Sequence, residues 1–387
     1  MARGLYWRLS AFYLFYFASL GALVPYWSVY LKSQGFDAGQ IGTLFAVLMA
    51  TKIVAPNVWG WIADHCGRRM SIIRGASLAA LITFLGVFWL SGFWGMALVM
   101  ALFSFFWNAT LPQFEVVTLN HLGSQSHRYA RIRLWGSVGF ILAVFALGPL
   151  AAGAALSQLP WILSGLFLAI WLASLTVDEP PAAPTEARRP SLWQVLRRPE
   201  VAALLLVCFL NQLSHGPYYT FYSILLQQHG YPGLAVGALW SWGVVAEILV
   251  FLVAGRLFAR YTLRALMVAS LSLTGLRWLL IGHAVDQPAV MLLAQTLHAA
   301  SFGLYHAVAI HLIHLYFPGR LQGRGQALYS SLSFGAGGAA GSLLAGLSWE
   351  RLGAAASFDL AAAAALVGAG VAWRHLPRRL DPHPING

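Results

Sequence analysis

Charge is scarce in this chain. Asp, Glu, Lys and Arg make up 9% of the 387 residues, about a third of the share in a soluble domain, while hydrophobic types make up 59%. Such a composition excludes an ordinary water-soluble protein and is read as a polytopic membrane protein. Acids are scarcer than bases, 12 against 24, which leaves a formal charge of +12. The bases stand in small clusters between apolar runs and never form the continuous basic face that nucleic acid requires, so no nucleic-acid partner is expected. Cysteine is nearly absent: Cys66 and Cys208 offer neither a disulfide framework nor metal-ligand spacing, and no metal or cofactor is expected. Catalytic signatures are missing too, with no H-E-x-x-H, no G-x-S-x-G and no paired aspartates at membrane depth. The chain is not read as an enzyme.

What is present is a series of long apolar runs. At about 20 apolar residues per crossing, twelve helices are expected, near 7–31, 40–62, 71–91, 95–119, 131–153 and 158–177, then 200–226, 235–257, 263–283, 288–315, 322–348 and 354–373. The first follows Arg3 and Arg8, and its apolar run is too long for a signal-peptide core, so it is expected to stay as a membrane helix. The domains expected are a six-helix bundle over 1–177, a proline-rich linker over 178–199, a second bundle over 200–376 and a tail over 377–387. Twenty of the 24 Lys and Arg residues fall in the segments that twelve crossings place on the side of both termini. Positive charge marks the cytoplasmic side, so both termini and the linker are expected there.

A faint repeat supports the division into halves. Leu31 to Lys52 is echoed 195 residues later, with Leu31 opposite Leu226, Gly35 opposite Gly230, Gly42 opposite Gly237 and Leu44 opposite Leu239. The same offset sets Lys52 opposite Glu247, two charges in apolar surroundings. Repeated halves in a membrane chain imply a transporter whose site lies where the halves meet.

After the second run the sequence is Gly60-Trp-Ile-Ala-Asp64-His-Cys-Gly67-Arg68-Arg69. Its glycines suit a tight turn, and Asp64 can accept hydrogen bonds, so Gly60, Asp64, Gly67, Arg68 and Arg69 are expected to act as a conformational latch between bundles. The matching loop of the second half keeps Gly255, Arg256 and Arg260 but has Ala259 in place of the acid. Placed after the second of twelve helices, this G-x-x-x-D-x-x-G-R-R pattern resembles the major facilitator superfamily. The resemblance narrows to the phenylpropionate permease branch, kin of the lactose permease family. It rests on PYWSVYLK at Pro25–Lys32, RLWGSVGF at Arg133–Phe140, LWSWGVVAE at Leu239–Glu247, LRW at Leu276 and LH at Leu297. It implies an all-α fold of two pseudo-symmetric six-helix bundles and a proton-coupled carrier.

Ionisable residues at mid-bilayer cost at least ~2.5–3.5 kcal/mol each, so each must face a partner or a watered cavity. Lys52, Glu247, Arg277 and His298 fall near mid-membrane, with Glu115 and Arg133 deeper toward the termini. Glu115 with Arg133, and Glu247 with Arg277, read either as ion pairs that fix packing or as working groups. The lactose permease family has an acid and an arginine at the separation of Glu115 and Arg133, similar in role to a substrate clamp. Phe140 stands where that family has an indole, which argues against sugar. His298 matches a histidine that the family uses in proton coupling, but Ser301 replaces the nearby acid, which leaves Glu247 as the coupling carboxyl, with Arg277 and His298 as partners. His306, His311 and His314 are read as plain helix histidines.

Buried positive charge exceeds negative, and the first and seventh helices are rich in aromatic residues. The expected substrate site is therefore Lys52, Glu115, Arg133, Phe140, Tyr26, Tyr219 and Tyr222, suited to an aromatic monocarboxylate. The expected function is proton-coupled uptake across a bacterial inner membrane by a monomer, with the solute, protons and the bilayer as partners. Alternatives are a proton-driven exporter of hydrophobic drugs, a sugar or nucleoside symporter, and a membrane solute sensor that does not transport.

Overall fold

The structure is a computed structural model that describes residues 3–151, 153–179 and 192–378. Among these residues it is helical throughout, with no strand. The first bundle comprises α1 (Arg3–Ser33), α2 (Ala38–Cys66), α3 (Arg69–Leu85), α4 (Gly92–Leu122), α5 (Tyr129–Leu147) and α6 (Leu159–Leu175). The second comprises α7 (Pro199–Gln228), α8 (Gly233–Arg260), α9 (Leu263–His283) and α10 (Pro288–Tyr316), followed by α11 and α12 over 322–352 and 354–375. Most of the linker, 180–191, and the end of the tail, 379–387, lie outside the described residues.

The last two crossings form one unbroken stretch of helical hydrogen bonding except at Gly353, whose φ of 86° and ψ of 175° no helix permits. Ser348 donates to Ser357 Oγ at 2.8 Å. Nine residues along a straight helix would set those side chains about 13 Å apart, so the chain reverses at Gly353 and makes two crossings.

The repeat read from the sequence recurs as a repeat of local structure. Gly35 and Gly230 both adopt positive φ, at 88° and 77°. In each half the following aromatic amide reaches back over the glycine, Phe36 N to Leu31 O at 3.2 Å and Tyr231 N to Leu226 O at 3.0 Å. This is the six-to-one closure of a Schellman cap, which needs a left-handed residue at the glycine position. Past the first of these turns, Asp37 and Gln40 form a reciprocal capping box that starts α2.

The next repeated glycines, Gly42 and Gly237, lie on the seams between bundles. Gly42 on α2 lies flush against Gly346 and the Ser342 carbonyl of α11, and Gly237 on α8 against the Val144 carbonyl of α5. Gly148 and Gly233 meet backbone to backbone beside the second seam. Small residues let helices approach this closely in a membrane, where dispersion must replace the hydrophobic drive. Gly39 N also donates to Glu350 Oε2 at 3.1 Å. These contacts cluster at the end of the molecule opposite the termini, here the distal face, where they close the two bundles together.

Two helices depart from regular geometry near the centre. Helix α7 is interrupted at His215, whose ring Nδ1 bonds the Asn211 carbonyl at 2.7 Å. Helices α10 and α11 each contain a π-helical segment, Ala299–Leu304 and Ser331–Gly337, of the kind that is frequent at functional sites.

Candidate functional site

Arg277 on α9 is fully buried, and the second bundle is built to hold it. Its Nε donates to Ala294 O at 2.9 Å, Nη1 to His298 Nδ1 at 3.1 Å and Ser301 Oγ at 2.9 Å, and Nη2 to Gln295 Oε1 at 3.1 Å. The rings of Tyr218 and Trp278 lie 4.2 and 4.6 Å from the guanidinium carbon. Hydrogen bonds to a charged group contribute about 1.5–3 kcal/mol each, and desolvated cation–π contacts about 2 kcal/mol. The sum offsets burial of the cation without a carboxylate in contact.

That arrangement fixes the tautomer of His298. A guanidinium only donates, so Nδ1 must accept, and the ring proton of neutral His298 resides on Nε2. Nε2 lies 3.7 Å from Glu247 Oε2 on α8. The expected pairing of Glu247 with Arg277 is thus indirect: the imidazole stands between them, its acceptor toward the arginine and its N–H toward the carboxylate. Tyr218 also donates to Gln295 Oε1 at 3.1 Å. Among the described residues, buried nitrogens of His215 and Gln295 and the hydroxyl of Tyr222 have no hydrogen-bond partner, a concentration of unused polar capacity around Arg277.

In the first bundle, Glu115 on α4 accepts from Tyr129 OH at 3.1 Å, and Arg133 on α5 lies over the Phe17 ring at 3.8 Å. Glu115 and Arg133 are not within ion-pair distance among the described residues; Tyr129 and Phe17 take the contacts that the sequence assigned to a direct pair.

The remaining expected residues scatter. Lys52 on α2 is half-buried between Met49, which packs on Gly338, and Ile53, which packs on Gly335, and it makes no hydrogen bond or ion pair among the described residues. Tyr219 stacks on His215 at 5.5 Å, and Tyr222 packs against Tyr218 at 5.0 Å, both at the edge of the Arg277 cluster. Tyr26 lies elsewhere: its hydroxyl donates to Val144 O at 2.5 Å beside Gly237, within the distal seam. Phe140 packs in the interface of α1 and α5, its backbone flush against Gly21.

In the loop after α2, Gly67 ends the helix at φ 65°, Gly60 lies beside Gln113, and Arg68 is exposed. Arg69 Nη1 donates to Gln113 Oε1 on α4. The backbone amides of Arg69 and Met70 donate to the two Glu179 carboxylate oxygens at 2.8 Å each. These contacts stay within the first bundle, whereas the sequence suggested a latch across bundles; the side chain of Asp64 lies outside the described residues. Sequence reasoning missed Tyr129, Gln295, Gln113 and Glu179. Tyr129 and Gln295 had a signal, being four and three residues before Arg133 and His298 on the same helix face.

Residues 6–360 match the MFS_1-like family. The chain belongs to this family of the major facilitator superfamily. Among MFS_1-like relatives and kin, a probable 3-phenylpropionic acid transporter of Escherichia coli (strain K12) is 30% identical over 361 residues, 89% of this chain and 91% of that one. The maltose permease of Geobacillus stearothermophilus is 28% identical over 355 residues, covering 89% and 88%. The fold also matches the crystal structure of a point mutant of the nucleoside transporter NupG, with a TM-score of 0.85 at 18% identity, covering 95% of this chain and 98% of that one. This MFS_1-like chain is a secondary transporter of the membrane and not an enzyme.

Proposed function

We propose that the protein is a proton-coupled uptake carrier for a small aromatic monocarboxylate, in the class of phenylpropionate. The observation that carries the reading is Glu247, a carboxylate inside the second bundle that keeps 20% side-chain exposure, lies 3.7 Å from His298 Nε2 and has no Arg or Lys within ion-pair distance among the described residues. An incoming carboxylate is drawn to the half-buried cations Arg133 and Lys52. A carboxylate without a counter-charge in a membrane interior is neutralised by a proton at less cost than it is left bare, so Glu247 is the carboxyl that takes up the proton carried with the anion. His298, held neutral by Arg277, offers Nε2–H to Glu247 in the charged state and keeps the carboxyl oriented. Aromatic rings of Phe17, Tyr218, Tyr219 and Tyr222 supply apolar faces near these charges. The 30% identical relative named for 3-phenylpropionic acid supports the same class.

Both termini and the 178–199 linker face the cytoplasm, the bundles are 1–177 and 200–376, and the molecule works as a monomer in the bacterial inner membrane. Transport proceeds by opening the distal seams as the opposite ends of the bundles approach. The Gly60–Arg69 loop, Asp64 included, steadies the terminal ends during that rocking. Similarity to a maltose permease favours sugar symport as the second reading.

The deciding experiment is uptake into proteoliposomes with an imposed inward-directed proton gradient, using 3-phenylpropionate, maltose and uridine. Accumulation of the carboxylate alone is expected. Accumulation of maltose or uridine but not the acid would replace the substrate, and loss of accumulation with retained exchange would remove the coupling.

A further inference from the structure

The two halves treat one corner of the fold oppositely. In the first bundle the chain leaving α6 carries Asp178 and Glu179, and Glu179 closes over the start of α3 through the amides of Arg69 and Met70, 2.8 Å each. Arg74 then ties α3 to the end of α6 through Val177 O at 2.8 Å. The carboxylate belongs to the protein, and the corner is filled.

The 195-residue offset carries Arg69 to Arg264 at the start of α9. Here the chain at the end of α12 bears Arg374 and Arg378 instead of acids, and the loop itself has Ala259 where the first half has Asp64. Between α8, α9, α10 and the residues after α12 lies an open cavity of about 380 Å³, lined by Arg264, Arg378 and His311 with Tyr261, Leu312 and Leu376. Arg264 lies over the Trp373 ring at 4.4 Å and Arg260 over Tyr261 at 5.6 Å. None of Arg260, Arg264 and Arg378 has a carboxylate partner among the described residues. The basic corner is thus charge-inverted relative to its counterpart, and among the described residues it is hollow.

We infer that this cavity binds the phosphate-bearing head group of an anionic membrane phospholipid, which takes the place that Glu179 fills in the first bundle. A phosphodiester matches guanidinium donors in charge and geometry. A lipid fits better than a free anion because the cavity opens at the helix ends, where Tyr261 and Trp373 are 47% and 58% exposed. Amphipathic rings at that level mark the bilayer interface, and basic pockets between helices hold anionic head groups there. The leucine wall takes the glycerol and first methylenes.

The test uses the full chain purified in a neutral detergent. Thermal unfolding and native mass spectrometry are followed with dioleoyl-phosphatidylglycerol, with dioleoyl-phosphatidylcholine and with inorganic phosphate at equal concentration. Phosphatidylglycerol is expected to raise the unfolding temperature by roughly 3–5 °C and to remain as a bound adduct, while the other two do neither. The double variant Arg264→Gln, Arg378→Gln is expected to retain the lipid roughly tenfold less well, whereas Arg351→Gln on the distal face retains it fully. Should the double variant not fold, Arg264→Lys, Arg378→Lys keeps the charge and is expected to show an intermediate affinity. Equal stabilisation by phosphatidylcholine or by phosphate alone, or undiminished retention by the glutamine variant, would overturn the assignment.

Discussion

At the scale of single residues, the geometry separates two jobs that buried charges can perform. Arg277 commits four of its five N–H groups to its own bundle and lies against two rings, which holds His298 in one tautomer. Glu247 is different, since its side chain keeps 20% exposure and its contact with His298 is long, at 3.7 Å. A group so loosely held is free to change protonation. Glutamine at this position mimics the protonated carboxyl, and Glu247→Gln is expected to lose accumulation driven by a proton gradient while keeping substrate exchange at equal concentrations. Concentrative uptake by that variant would show that the proton travels elsewhere. Lys52, half-buried and without a partner among the described residues, is available to an anionic solute. Lys52→Met is expected to weaken affinity for the carboxylate roughly tenfold, about 1.4 kcal/mol, with little change for a neutral amide analogue. Equal losses in a binding titration would assign Lys52 to packing alone.

At the scale of helices, the glycine seams decide which state is populated. A Cβ added at Gly42 would lie 2.6 Å from Gly346 Cα and 2.7 Å from the Ser342 carbonyl oxygen. Both are backbone atoms that cannot swing aside, so overpacking of about 1–3 kcal/mol is expected, and only while the distal face is closed. Gly42→Val should therefore shift the population toward the distal-open form by roughly tenfold or more. Spin labels on Gln34 and Arg351, one on each bundle at the distal face, would report a longer distance in the variant. An unchanged distance distribution would mean that the seam yields by local repacking. The π-helical segments of α10 and α11 are linked through Phe302 and Phe334, whose rings lie 6.2 Å apart. The two helices are thereby coupled near the site, in the bundle that must move.

At the scale of the molecule, the asymmetry of charge bears on orientation. Clusters at Arg68, Arg69 and Arg74, at Arg256, Arg260 and Arg264, and at Arg374 and Arg378 all fall on the face of the termini, and positive charge is retained in the cytoplasm. With Cys66 and Cys208 replaced, a single cysteine at Ala183 is expected to be shielded from an impermeant maleimide in intact cells and to react after permeabilisation. Labelling from outside would invert the proposed orientation.

The sequence alone determined the helical, membrane-spanning architecture, because about 20 apolar residues per crossing and the cost of unpaired backbone in lipid leave few other solutions. It also determined the repeat, since Gly35 and Gly230 answer one local requirement, a left-handed cap, that any chain must meet with the same residue. The identity of the buried charges was legible for a similar reason: an ionisable residue in an apolar run is conspicuous wherever it points. Their partners were not legible. Arg277 reaches His298 and not Glu247, Arg133 rests on Phe17, and Glu179 closes over α3 from more than a hundred residues away. Tyr26, expected at the site, instead ties α1 to α5 in the seam. Those choices depend on how helices rotate about their axes and which seams close, and in helices that are apolar all round no hydrophobic face encodes that rotation. Only side-chain packing between helices decides it, and that packing exists only in the folded molecule.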